Sequence, residues 1–296
     1  MKVLVTGAGG MVGTEILKVT DPDFQFIGLH SNVLNVKDAG QIKALLNAQK
    51  PDVVIHLAAK TNVDWCERNI AECQTINVQG TRHIAQAATE INALLVYPST
   101  SYLYPGDKEQ PYDERVDAID PKKVIGVYAQ SKFEGEIVVQ NMTHLDFIIP
   151  RFGALYGGGK EDKKFVAKVL GLVKEGKKEI KMIRDRVIQP SSVKDTVANL
   201  LALIKRQGRG IYNMVGHGQA SYYDYAQAIL EFADITDVRV IPIQSQDFKE
   251  SAPRPKNLTA INGRLQEAGL DLMRDWRIAL KEYVLEIKDD FLNTTH

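Results

Sequence analysis

The chain is poor in cysteine, even in charge and without a long apolar run, and each shortage removes a class of protein. Its two cysteines, Cys66 and Cys73, stand seven apart in a stretch predicted to be helical. That spacing fits neither a disulfide framework nor a metal-ligand set, so both are expected as reduced thiols. The six histidines are scattered and form no ligand cluster, so no metal is expected. With 37 acidic and 37 basic side chains, neither sign dominates, which argues against a polyanion-binding surface and against nucleic acid as a partner. No apolar run approaches the ~20 residues of a membrane-spanning helix, so no membrane partner is expected. The apolar start from Met1 is broken by glycines and runs on into a helix, unlike a signal peptide. The expectation is a soluble, cytoplasmic protein.

Apolar residues make up 44% of the 296, enough for one large α/β domain or two modest ones. In the first half, short apolar strands alternate with helical stretches. Strands are expected at 3–5, 24–29, 53–55, 93–97 and 145–150, and helices at 11–19, 38–48, 69–90 and 128–141. Continuous apolar strands between helices imply a parallel sheet covered on both faces. With right-handed crossovers this becomes a doubly wound, Rossmann-type α/β fold. We place that dinucleotide-binding domain at 1–150. Residues 151–296 then form mainly a smaller, mixed substrate region, with part of the chain returning to the first domain near 193. Helices are expected there at 193–205 and 222–232. The charged stretch 160–164 reads as a solvated loop or helix start that can fringe an anionic substrate.

The loop Gly7-Ala8-Gly9-Gly10-Met11-Val12-Gly13 follows the first strand and opens the first helix, which is the setting in which a glycine pattern points to a dinucleotide. One glycine permits the tight turn, another the approach of a pyrophosphate, and a third close helix–sheet packing. A carboxylate closing the second strand would select NAD through the ribose 2′-hydroxyl. His30-Ser31-Asn32 stands there instead, and Asp21 and Asp23 come too early. The cofactor is therefore NADP or NAD, with NADP favoured because nothing repels a 2′-phosphate, although only Lys37 is at hand to attract one.

Tyr128 and Lys132 stand one helical turn apart. A chain of this composition contains about one Tyr-x-x-x-Lys by chance. Tyr104 and Lys108 are that chance copy, because Pro105 and Gly106 prevent them from sharing a helix face. Tyr128-Ala129-Gln130-Ser131-Lys132 contains no breaker. A free phenol, with a pKa of about 10, exchanges protons poorly at neutral pH. The Lys132 ammonium and a cationic nicotinamide are expected to lower it. Thr100, with Ser99 as second choice, lies at the mouth of the fourth strand and can hold a substrate oxygen beside Tyr128. His56 lies within a strand and is expected as a hydrogen-bonded core or cofactor-edge residue.

These residues resemble the extended short-chain dehydrogenase/reductases over essentially the whole chain. The pieces that carry the resemblance are Thr6 to Gly13, Leu57-Ala58-Ala59, Asn77-Val78-Gln79-Gly80-Thr81, Ser99-Thr100, Tyr128 with Lys132, and Arg151 through Tyr156-Gly157. The resemblance implies a catalytic set of Thr100, Tyr128, Lys132 and Asn77, with Asn77 supporting a water relay to Lys132. It places the cofactor along Gly7, Gly9, Gly10, Met11, Val12 and Gly13, at His30, Ser31 and Asn35, along Leu57, Ala58 and Ala59, and against Tyr128 and Lys132. It also implies homodimerisation through the helices flanking the site.

Within that superfamily the chain looks most like the dTDP-4-dehydrorhamnose reductases. Ser99 to Gly106, Gln189 to Asp195, and Arg254-Pro255-Lys256-Asn257 carry this finer likeness. It implies reduction of the C4 ketone of a nucleotide-linked deoxysugar, with Ser101, Tyr102, Arg151 and Arg254 on the substrate. Two positions depart from the pattern. Ser101 stands where an Asp is usual, and Ala154 where a Trp is, which removes an aromatic wall from the sugar pocket. An epimerase would use the same Thr100, Tyr128 and Lys132. A 4,6-dehydratase would want Asp-Glu after Thr100, where Ser101-Tyr102 stands. A non-catalytic, NADP-binding regulatory subunit, like that of methionine adenosyltransferase, is the reading from another class.

Overall fold

Val3 and Val5 pack to one face of the central sheet and Leu4 to the other; Val53 and Ile55 oppose Val54 in the same way, and Leu94 and Val96 oppose Leu95. Each strand is apolar on both faces because both faces are covered, which is why these segments read as unbroken apolar runs. In the computed structural model, which describes residues 1–292, the sheet is parallel. Its order is Gly210–Met214, Phe147–Phe152, Leu94–Val96, Val53–His56, Lys2–Thr6, Gln25–Leu29. Ser99–Thr100 adds to Phe147–Phe152. Residues 293–296, the end of the region expected to be mainly substrate-binding, lie outside the described residues.

Helices Ala39–Gln49, Gly80–Glu90 and Val127–Gln140 cover one face, and helices Met11–Leu17 and Val193–Lys205 the other. Lys2–Thr6 pairs with Gln25–Leu29 on one side and Val53–His56 on the other. The chain leaves Lys2–Thr6 toward Gln25–Leu29 and leaves Val53–His56 toward Leu94–Val96, in opposite directions, which opens a crevice beyond the carboxyl ends of these two strands, where ligands bind in such sheets.

The helix expected at 69–90 is interrupted by a π-helical turn, Thr75–Gln79, between Ile70–Gln74 and Gly80–Glu90. The two cysteines do not share one helix. Cys66 belongs to Val63–Arg68, and the chain breaks at Asn69 (φ −132°, ψ 55°) before Cys73. Both thiols are buried and free.

Beyond Phe152 the chain builds a second apolar cluster, in which helices Phe165–Lys174, Tyr222–Phe232 and Trp276–Leu292 bury Val169, Leu170, Tyr225, Ile229, Leu280 and Tyr283 together. A capping box between Ser221 and Asp224 starts the middle helix. Strand Gly210–Met214 nonetheless returns to the central sheet, preceded by helix Val193–Lys205 on its face. The crevice thus acquires walls from both halves of the chain.

Candidate active site

The glycine loop is shaped by contacts that no side chain could accept. Gly7 has φ +66°, and a Cβ there would stand 2.7 Å from the backbone nitrogen of Ala58. A Cβ on Gly13 would come within 2.7 Å of Ala8 Cα. Loop 7–10 therefore lies directly on loop 57–59. Helix Met11–Leu17 begins at Gly10 with no side chain capping it, so its first amide groups stay available to a ligand. Two cavities, of about 550 and 320 Å³, meet across Gly7, Gly10, Leu57 and Ala59. Met11, Val12 and Gly13 border the larger, while Ser31, Asn35 and Ala58 border the smaller. A two-lobed trough crossed by bare backbone fits the two ends of a dinucleotide and the pyrophosphate between them.

Gly9 and His30 border neither cavity; instead the His30 ring covers Gly9, its Nδ1 3.1 Å from where a Cβ would stand. Lys37 and Lys60 line the smaller cavity, and none of its described lining residues is a carboxylate. That balance favours a 2′-phosphate. His30→Asp is expected to move the NADP/NAD affinity ratio toward NAD by about tenfold or more, through repulsion of the 2′-phosphate. Binding titrations with both cofactors check it, and an unchanged ratio would place the ribose elsewhere.

Tyr128, Lys132 and Glu136 fall at successive four-residue steps of helix Val127–Gln140 and share its inward face. Lys132 and Glu136 are buried. The Lys132 ammonium lies over the Tyr97 ring, 3.9 Å from its centre. Tyr97 donates to the Lys132 carbonyl at 3.3 Å. Gly135 is required here, because a Cβ would overlap the Tyr97 hydroxyl. Thr100 stands beside Tyr128 on the same cavity wall, and Tyr102 meets the Tyr128 ring edge-on, with centres 6.0 Å apart. Thr100, Ser101, Tyr102, Tyr128 and Lys132 all border the larger cavity.

The electrostatics of the protein's own groups set burial against the expected effect of Lys132 on Tyr128. Burial raises the Tyr128 phenol well above its usual value, against the opposing pull of Thr100. Lys132 does not reverse this. Burial depresses its own ammonium to about 7, with the Glu136 charge working the other way. Desolvation outweighs attraction in the wall of the crevice, where Lys132 is buried and Tyr128 partly so. His56 donates to or accepts from Thr6 Oγ1 through Nδ1 at 2.8 Å, while its buried Nε2 has no partner. Burial, then the Lys132 charge, lowers it to about 3. It is a neutral residue at the cavity edge.

Asn77 stands one layer back, in the π-helical turn. Its amide oxygen accepts from Lys60 N at 2.7 Å, and its nitrogen donates to Lys60 O at 3.0 Å and Ser131 Oγ at 2.9 Å. It ties loop 57–60 to the residue preceding Lys132. Two residues expected on the substrate border neither cavity. Arg151 turns into the protein, where its guanidinium donates to both oxygens of Glu136 at 3.0 and 2.8 Å and to the Tyr104 hydroxyl at 3.3 Å. A buried carboxylate demands that partner, which holds Arg151 on Glu136 and away from both cavities. Arg254 pairs with Asp64 at 2.9 Å and Glu250 at 3.1 Å.

The far wall comes from the second half of the chain. Phe165 stacks on Tyr225 at 4.8 Å and leans on Tyr222 at 5.3 Å, with Ile188, Gln189 and Leu258 beside them. Ala154 and Lys164 also face the cavity. Sequence reasoning missed this wall apart from Ala154 and the charged stretch ending at Lys164. Its one local signal is the Tyr222-Tyr223-Asp224-Tyr225 cluster at a helix start.

The geometry has counterparts in known proteins. The profile of the family described as RmlD substrate binding domain matches residues 1–288. A spore coat polysaccharide biosynthesis protein, SpsK, from Bacillus subtilis is 32% identical, covering 96% of this chain and 97% of its own. A dTDP-4-dehydrorhamnose reductase from Burkholderia thailandensis is 31% identical, with coverages of 95% and 97%. The crystal structure of the Bacillus anthracis dTDP-4-dehydrorhamnose reductase in complex with NADP superimposes with a TM-score of 0.90 at 28% identity, covering 96% of this chain and 99% of that one. With the parallel sheet, the glycine loop and the Thr100–Tyr128–Lys132 cluster in place, the chain belongs to this family of extended short-chain dehydrogenase/reductases.

Proposed function

We propose that the protein reduces the C4 ketone of a nucleotide-linked 6-deoxysugar, with NADPH as reductant. The observation that carries this reading is that Tyr128, with Thr100 beside it, borders a cavity that runs on into the glycine trough. Bound in that trough, a reduced nicotinamide supplies the hydride. Thr100 holds the carbonyl oxygen of the substrate beside Tyr128. The raised phenol keeps its proton until negative charge develops on that oxygen, then transfers it, as a general acid should. Lys132 holds positive charge behind the phenol and steadies the phenolate left after transfer. Asn77 keeps loop 57–60 and Ser131 in register with Lys132.

The curated relatives named as dTDP-4-dehydrorhamnose reductases support the substrate class. A relative named as a probable 4-ketoreductase of a different dTDP-linked sugar supports the reaction more broadly than any one sugar. Ala154 at the cavity edge leaves space in the sugar end of the site. The reading includes a cytoplasmic homodimer, supported by the buried free thiols and by Ile137, 40% exposed on the outer face of helix Val127–Gln140.

The test is steady-state oxidation of NADPH and NADH with a panel of nucleotide-linked 4-keto-6-deoxysugars. Stoichiometric cofactor consumption with at least one of them is expected, with NADPH preferred. Interconversion of sugars without net consumption would make the protein an epimerase. Tight cofactor binding with no turnover of either kind would make it a non-catalytic binding subunit.

A further inference from the structure

Behind Lys132 lies an aromatic ring that borders neither cavity. Tyr97 follows strand Leu94–Val96 and is 1% exposed. Its face carries the Lys132 ammonium, 3.9 Å from the ring centre. That is well inside the ~6 Å over which a cation is drawn to an aromatic face. Its hydroxyl donates to the Lys132 carbonyl at 3.3 Å, so one side chain grips both the backbone and the charge of the same residue. The helix is cut to receive it, because a Cβ at Gly135 would overlap that hydroxyl. Three residues further on, Thr100 stands beside Tyr128 on the cavity wall. One short stretch of chain therefore supports the lysine from behind and flanks the phenol.

Burial pulls the Lys132 ammonium down to about 7, so at neutral pH its charge needs support. Glu136 supplies part of it, but both its carboxylate oxygens are taken by Arg151, and it acts on Lys132 by charge alone. A ring face adds attraction of a different kind. It draws the cation without taking one of its three N–H donors, which leaves them to the larger cavity that Lys132 borders. The Tyr97 phenol itself stays neutral, because burial and then the Glu136 charge raise it well above its usual value. The other titratable groups facing Lys132 are the Cys73 thiol, from helix Ile70–Gln74, and neutral His56, from strand Val53–His56. Tyr128 stands one turn back on the same helix. A change of ring at position 97 replaces none of them.

We propose that Tyr97 is a positioning residue for Lys132: its ring face keeps the ammonium charged and in place behind Tyr128, and its hydroxyl locks the ring to the helix that carries both. Its part in the reaction rests on the reductase reading above. The charge effect belongs to the face of the ring and not to the hydroxyl, so Tyr97→Phe preserves it.

Lysine labelled with carbon-13 at Cε reports the ionisation of Lys132 by NMR without any turnover, its signal identified by its loss in Lys132→Met. The titration is read in the NADP-saturated parent protein, in Tyr97→Phe, and with fluorinated phenylalanines placed at position 97. Successive fluorines drain the negative face of the ring and nearly keep its shape. Tyr97→Phe is expected to leave the Lys132 titration within about half a pH unit of the parent. The fully fluorinated ring is expected to lower it by about one unit or more, the scale of a lost desolvated cation–π contact. A lysine with a lowered pKa sheds its proton at lower pH, so the alkaline limb of the pH–rate profile for sugar reduction should move down with it. A packing defect alone would lower the rate at every pH and leave the limb in place. A Lys132 titration unmoved across the series would overturn the proposal, and so would a limb that stays put while the titration moves. If the titration follows the ring but no 4-keto sugar is reduced, the reductase reading fails and the hold on the ammonium stands. If sugars are reduced while the titration ignores the ring, the hold fails and the reductase stands.

Discussion

Tyr128→Phe should bind NADPH as tightly as the parent protein and lose ~10²-fold or more in turnover, the scale on which a positioned general acid contributes. The substitution removes one oxygen and leaves the ring in its edge-on contact with Tyr102. Cofactor binding should survive, because the trough is built from backbone at Gly7, Gly10 and Leu57 rather than from the phenol. The loss should fall on the step in which the new alkoxide takes its proton. Thr100 would then hold a substrate oxygen with no donor beside it. Single-turnover reduction, followed by nicotinamide absorbance with cofactor affinity measured in parallel, separates the two effects. Turnover within a few-fold of the parent would remove Tyr128 from the chemistry.

The second large effect is on stability, and it comes from a residue that touches no ligand. Glu136→Ala should cost about 3–5 kcal/mol, because it strands the Arg151 guanidinium in the interior. The side chains of the pair are 0% and 6% exposed, so water cannot take over the lost bonds. Among the described residues, the Tyr104 hydroxyl would remain as the one hydrogen-bond partner of the Arg151 guanidinium. Replacing both members, as Glu136→Leu with Arg151→Met, should recover much of the loss, since a buried pair exchanged for packed apolar groups is often near neutral. The double variant should still differ from the parent in one respect. Glu136 is the charge that holds Lys132 up against the pull of burial, so without it the lysine should lose its proton at lower pH. The pH–rate profile should shift downward accordingly. Urea denaturation of the single and double variants measures the coupling. A Glu136→Ala cost below ~1 kcal/mol would mean that the pair is hydrated in solution.

Much of the first half of the molecule could be read directly from the chain, and the reason is locality. A strand covered on both faces is a continuous apolar run, a strand-to-helix turn at a nucleotide site concentrates glycine, and a four-residue step puts Tyr128 and Lys132 on one helix face. Each pattern is complete within a few residues. Helices Val193–Lys205 and Tyr222–Phe232 were legible for the same reason.

What the sequence determined unaided was therefore the fold class, the glycine trough and the spacing of Thr100, Tyr128 and Lys132. Tertiary structure alone decided where Arg151 points, because its choice between substrate and Glu136 depends on how strand Phe147–Phe152 lies against helix Val127–Gln140. It alone decided that burial raises the Tyr128 phenol, since desolvation is a property of the packed wall and not of neighbours along the chain. It also brought Arg186, Glu250 and Asp64 into one network with Arg254, joining residues nearly two hundred positions apart. Local propensity carries no record of such meetings. They follow from which layers pack together, and that is settled only when the whole chain has buried its apolar surface.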